Sequence, residues 1–242
     1  MSPVTILTFD IDWSPDWIID EVANMVTSHG VKSTWFVTHA GAAVERLRAR
    51  ADLLELGIHP NCLPGSTHGK NERDVLAHVK SIVPEAVSMR THGLYQTTGF
   101  LMRAARDFGV RIDSSLLFPE IHNIVPHDLK IGDLKLRRAP IYWEDDIAML
   151  DPSNRWKLED HLSSDNGIRI FAFHPFHIVL NTTDYQLYEK LKGMCPLPQW
   201  KPDFIAPYRN KGRGPRDFFL ELVEYLESKA TFFVRDILEA KG

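Results

Sequence analysis

The first apolar run, VTILTF at residues 4–9, is continuous rather than alternating, the pattern of a strand buried on both faces. A helical stretch follows at residues 15–28, with Ser14 placed as its N-cap, Pro15 at its start and Gly30 closing it. The same order recurs three times. Strand-like residues 32–37 precede helical 42–51, 53–58 precede 72–82, and 87–90 precede 98–108. A late strand is predicted at 168–173, helices at 184–191 and 215–228, and a terminal strand, TFFV, at 231–234. Residues 111–146 carry short β-like pieces and no clear helix, and 193–214 form a loop bearing prolines and aromatics. Strands alternating with helices predict an α/β fold with a parallel sheet, which a barrel and a doubly wound open sheet both satisfy. No repeat or Gly/Ser linker divides the chain, so residues 1–242 read as a single domain.

Composition narrows the function classes. With 28 Lys+Arg against 32 Asp+Glu the formal net charge is −4, which argues against general nucleic-acid binding. Two cysteines, Cys62 and Cys195, are too few for a disulfide scaffold and show no metal-binding doublet. No apolar run reaches the ~18–20 residues of a transmembrane span, and MSPVTILTFDID has neither the basic region nor the cleavage site of a signal peptide. A cytoplasmic location is the expectation. Phosphate-binding, dinucleotide-binding and serine-hydrolase motifs are absent from the sequence.

In either parallel architecture the active site lies at the C-terminal ends of the strands. Asp10 and Asp12 end the first strand, His59 the third, Arg90 the fourth and His174 the late one. Asp10 and Asp12 stand one residue apart, and a strand period of two points both to the same side. Two close carboxylates suit a divalent cation, or one ligand beside one general base. Taken alone, the pair reads equally as turn or capping aspartates. His59 has Asn61 two residues on and His68 nine residues on. Two imidazoles with a carboxylate would leave a metal open positions for water and substrate. Arg90 suits bidentate binding of a carboxylate, with His92 and Tyr95 as nearby candidates for a ligand and a substrate contact. His174 suits protonation of a leaving group, oriented by Asp145 or Asp146. Trp143 and His177 are candidate substrate contacts, although Trp143 reads equally as core and His177 as a loop histidine.

Taken in order, TFDID, GIHPN with a later histidine, MRTHG, DSSLLFP, APIYWEDD and FAFHP resemble the polysaccharide deacetylase family with its NodB homology domain, across residues 4–235. The resemblance implies a distorted (β/α) barrel that removes N- or O-acyl groups from carbohydrates with one divalent metal, zinc first, with cobalt, manganese or nickel as alternatives. It makes Asp10 the general base, Asp12 and His59 metal ligands, Arg90 the residue that holds the base, and His174 the general acid. Two departures stand out. Ile11 separates aspartates that the family usually has adjacent, and Leu63 stands where its second histidine ligand falls. His68 is then the first choice for the third ligand, with Asn61 and His92 behind it. The GIHPN…HG and RTHGLY variants are similar to a divergent branch, the WbmS-like proteins of bacterial surface-polysaccharide loci. The expected function is removal of an N-acyl group, acetyl first, from a carbohydrate or glycan precursor in surface-polysaccharide or O-antigen biosynthesis. The alternatives are an amidohydrolase of small non-sugar amides on the same fold and a metal-free carbohydrate-binding or assembly protein. The oligomeric state is left open.

Overall fold

Parallel pairing dominates the sheet of the computed structural model, which describes residues 4–162 and 166–239. Its strands are β1 (Val4–Asp10), β2 (Ser33–Val37), β3 (Leu54–Ile58), β4 (Ser88–Met89), β5 (Ile112–Asp113), β6 (His127–Ile131), β7 (Leu134–Arg138), β8 (Trp143–Glu144) and β9 (Ile168–Phe173). The hydrogen-bonded order is β6-β7-β5-β4-β3-β2-β1-β9-β8, and only the β6–β7 hairpin is antiparallel. Beyond β5 the chain pairs again. Leu117 bridges Ile141, and the Phe118 and Glu120 N–H groups donate to the carbonyls of Ile141 and Tyr142 at 2.9 and 3.0 Å. Those bonds bring the segment after β5 against the one entering β8 and draw β1–β5, β8 and β9 into a distorted barrel, with the hairpin attached outside at β5. The distortion follows from length, since β4, β5 and β8 have two residues each.

The outer helices are α1 (Asp16–Ser28), α2 (Ala42–Arg48), α3 (Glu72–Ile82), α4 (Thr98–Phe108), α5 (Asp145–Ala148), α6 (Pro175–Leu180), α7 (Tyr185–Met194), α8 (Pro202–Ile205) and α9 (Pro215–Glu227). Helix α1 buries Ile18, Ile19, Val22 and Val26, the i, i+3, i+4 stripe of a helix lying on a sheet. Side chains start three of these helices, one being α7, where Asp184 accepts from Gln186 N–H. Asn71 accepts from the Arg73 and Asp74 N–H groups ahead of α3, and Thr97 from Phe100 N–H ahead of α4. The core runs through Phe9 stacked on Trp35 at 4.2 Å and Trp143 stacked on Phe218 at 4.4 Å.

Two sequence expectations are corrected. Ser14 does not cap α1: the position before the helix is Pro15, and the Ser14 hydroxyl is buried without a hydrogen-bond partner. Residues 231–234 do not add a strand, and the segment turns into a 3₁₀ helix at Val234–Leu238. Side chains take its backbone donors in place of a neighbouring strand. Val234 N–H donates to Thr34 Oγ1 at 2.9 Å and Arg235 N–H to Glu55 Oε2 at 3.2 Å, which ties the segment to β2 and β3. Among the described residues no helix is long and apolar enough to cross a membrane.

Candidate active site

The C-terminal ends of β1, β3, β4, β8 and β9 deliver the chemistry to one end of the barrel. Asp10 closes β1, but Asp12 lies beyond the strand with φ 39°, followed by Trp13 with φ 58°. The left-handed turn, rather than the strand period, brings Asp12 back toward the site. Its backbone is steadied where Trp13 N–H donates to Thr38 Oγ1 at 3.1 Å.

Asp12 Oδ1 lies 3.0 Å from His59 Nε2 and 3.1 Å from His92 Nδ1. The three donor atoms lie within 4.8 Å of one another. His59 Nδ1 donates to the Arg90 backbone carbonyl at 2.8 Å, so that nitrogen carries hydrogen and Nε2 is the one turned to Asp12. His92 arrives on a tight 3₁₀ turn in which Gly93 and Leu94 take φ 62° and 51°. Burial pushes the Asp12 carboxyl up, yet hydrogen bonds and charge from His59 and His92 outweigh it and hold the group well below the ordinary carboxylate range. His92 is drawn the opposite way: burial opposes its charge, and the Asp12 carboxylate raises it. One carboxylate with two imidazoles fits a divalent ion, whose binding would displace protons held on those imidazoles.

His68 is placed differently. It is buried, its Nδ1 accepts the Asn61 N–H at 3.1 Å, and its ring stacks on His78 at 5.0 Å. Burial, with His78, His59 and His92 nearby, depresses it to about 4, so it is neutral. The cluster of possible ligand atoms contains His92 and leaves His68 out. Asn61 turns its own side chain to cap the loop, accepting from Leu63 N–H at 2.9 Å.

Asp10 and Arg90 form a second unit. Arg90 is fully buried, and its guanidinium donates to Asp10 Oδ1 at 3.0 Å, Thr8 Oγ1 at 2.9 Å, and the Ser114 hydroxyl and carbonyl at 3.1 and 3.3 Å. Phe36 lies under the cation at 4.5 Å. Strands β1 and β2 and the residue after β5 thus surround one charge from three sides.

His174 and Asp145 form a third unit. Asp145, the first residue of α5, accepts the His174 backbone N–H on Oδ2 and its ring Nδ1–H on Oδ1, both at 2.7 Å. Nε2 is thereby aimed back at Asp12, 3.5 Å from Oδ2. Burial disfavours the imidazolium, but Asp146, Asp145 and Asp12 overcome it and hold His174 well above 6.5, as a cation at neutral pH. Asp146 pairs instead with His177 Nε2 at 2.7 Å.

The proposed substrate contacts separate from this cluster. His177 is fully buried between Phe176 and Tyr188, and Trp143 is 4% exposed. The Tyr95 hydroxyl donates to Glu72 at 2.9 Å. Trp200 is buried with its indole N–H on the Cys195 carbonyl. A cavity of about 460 Å³ covers Asp12 and His92, with Trp13, Tyr188, Lys192 and Leu197 in its walls. Of these Trp13 carried a legible signal, following directly on the second aspartate. Tyr188 and Lys192 sit on α7, where nothing in the helical pattern distinguishes them.

A family model described as WbmS-like polysaccharide deacetylase matches residues 7–192. The crystal structure of a candidate polysaccharide deacetylase involved in O-antigen biosynthesis from Bordetella bronchiseptica shares 32% identity, with a TM-score of 0.77 over 91% of this chain and 90% of that one. The 4-α-glucanotransferase of Thermococcus litoralis shares 12% identity at a TM-score of 0.50, over 98% of this chain and 38% of that one, a likeness of fold alone. No curated protein matches the sequence significantly. With the family motifs gathered at one barrel end and the family model spanning most of its length, the chain belongs to the WbmS-like polysaccharide deacetylase family.

Proposed function

We propose that the protein is a metal-dependent hydrolase that removes an N-acyl group, acetyl first, from a sugar of a bacterial surface-glycan precursor. One observation carries this reading: a donor set of Asp12, His59 and His92 stands between a carboxylate held by Arg90 and an imidazolium held by Asp145. The O-antigen assignment of the Bordetella protein supports a glycan precursor as substrate class. His92 takes the place of His68 as third ligand in this proposal.

A divalent ion at Asp12, His59 and His92 would supply Lewis acidity and ease deprotonation of water. Zinc suits two imidazoles and a carboxylate, and cobalt, manganese and nickel accept the same donors. The protein's own groups do the proton work. Asp10, held in place by the buried guanidinium, receives a proton from the attacking water. His174 gives its Nε2 proton to the departing nitrogen, which is too basic to leave unprotonated. Asp145 fixes the ring's orientation and stabilises its charged form.

Acetate release is the test, from N-acetylated oligosaccharides set against small non-sugar amides. The sugar substrates should be hydrolysed by wild type, and Asp10→Asn should keep its metal while losing turnover. Hydrolysis of the small amides alone would move the assignment to the amidohydrolase alternative. A metal-loaded protein inactive on both sets would leave a binding role.

A further inference from the structure

Five carboxylates crowd the barrel end, and four of them have partners. Asp10 meets Arg90, Asp12 meets His59 and His92, Asp145 meets His174, and Asp146 meets His177. Glu144, at the C-terminal end of β8, is the exception: it makes no hydrogen bond or ion pair with any described residue. A Glu144 carboxyl oxygen, an Asp10 oxygen and a His174 ring nitrogen nevertheless lie within 4.8 Å of one another. The residue is partly exposed and lines a neighbouring cavity with Leu117, Tyr142, Trp143 and His161. Burial, with the Asp146 and Asp10 anions beside it, pushes its carboxyl up to about 8 against the pull of His174 and Arg90. That direction favours the protonated form. An acid without a protein partner, set beside the proposed base and acid, is explained by a partner that arrives with the substrate.

We infer that Glu144 contacts the substrate nitrogen, gives the freshly cleaved amine its second proton, and holds the resulting ammonium as a carboxylate. The inference rests on the deacetylase reading above. The C–N bond breaks as the water oxygen bonds to the acyl carbon. One water proton goes to Asp10, and His174 gives one to nitrogen, leaving a neutral amine. Glu144 then transfers its proton to the nitrogen lone pair, and an ammonium–carboxylate pair remains. Asp10 returns its proton to His174, and the proton shed by the freed carboxylic acid balances the one Glu144 takes up when the amino sugar leaves. An amide leaves Glu144 neutral, so the residue distinguishes product from substrate.

The test is binding calorimetry on metal-loaded protein with glucosamine, galactosamine and mannosamine as probes. Their N-acetyl forms are measured in an Asp10→Asn background to prevent turnover. Glu144→Gln should weaken the best-bound amino sugar at least tenfold, change N-acetyl sugar binding less than twofold, and leave the metal content unaltered. Equal binding of the amino sugar by Glu144→Gln and wild type would overturn the inference, as would a matching loss for both sugar forms. Loss of a bound ion would overturn it too, by showing that Glu144 holds metal with Asp10 and His174. Binding of N-acetyl sugars but no amino sugar would overturn the Glu144 role alone, and binding of neither would overturn the deacetylase reading with it.

Discussion

Replacing Arg90 by methionine removes the cation that three elements of the barrel are built around. Four polar contacts are lost together, and Asp10 is left as a buried anion, since both side chains are at most 3% exposed. Removing one partner of a buried ion pair costs about 3–5 kcal/mol. Asp10→Asn is milder, because Arg90 keeps Thr8 and Ser114 and gains a neutral acceptor. A charge-assisted bond becomes an ordinary one, at a cost of roughly 1 kcal/mol. In the double variant no charge is stranded, so its destabilisation should fall short of the summed single effects by about 2 kcal/mol. Urea unfolding with a chelator present reads this coupling without a contribution from metal binding. Turnover supplies a second readout: Arg90→Met leaves Asp10 without the guanidinium that positions it, and loss of a general base lowers kcat by about 100-fold to 10,000-fold. Arg90→Lys keeps the charge without the fork and should fall between. Energies that add within about 0.5 kcal/mol would refute the argument that Arg90 exists to hold Asp10.

Three further outcomes follow from the same geometry. Because the folded protein holds His174 well above 6.5, general-acid activity should persist through neutral pH and decline only as pH rises through the folded value; Asp145→Asn should move that decline to lower pH, and an unmoved profile would remove Asp145 from this role. Glu55 is buried, accepts the Thr34 and Ser88 hydroxyls at 2.7 and 2.6 Å, and is raised by burial against those bonds. Its contribution to stability is therefore full below 4.5 and is lost as pH rises through the folded value, so urea midpoints should fall over that window in wild type and less in Glu55→Gln; parallel profiles would refute this. Trp143→Ala should cost about 3–5 kcal/mol in stability through lost packing on Phe218, with KM for the sugar within twofold once folded, whereas a large KM change at unaltered stability would make Trp143 a sugar contact.

The parts of the site carried by strands were readable because a strand end fixes where its next residue goes. Asp10, His59, Arg90 and His174 each follow an apolar run directly, and all four reach the same barrel end. Asp12 also arrives there, but through positive φ values that no periodicity encodes. The loop histidines had no such rule. His68 and His92 look alike in sequence, and the choice between them depends on how two loops fold back: His68 is occupied by the Asn61 N–H, while a turn through Gly93 presents His92 to Asp12. Glu144 was hidden by its neighbours, since EDD offers three carboxyl groups and only the two-residue strand beneath them decides which faces Asp10. The terminal TFFV has every mark of a strand, and what overrides its propensity is a pair of distant acceptors, Thr34 and Glu55, that take its backbone donors.

Metal content of the purified, divalent-supplemented protein tests the central claim most directly, for wild type, His59→Ala, His92→Ala and His68→Ala at neutral pH. The account predicts about one ion per chain in wild type, as for a single catalytic site, with loss in His59→Ala and His92→Ala and retention in His68→Ala. Retention in His92→Ala with loss in His68→Ala, or wild type that holds no ion, would contradict it.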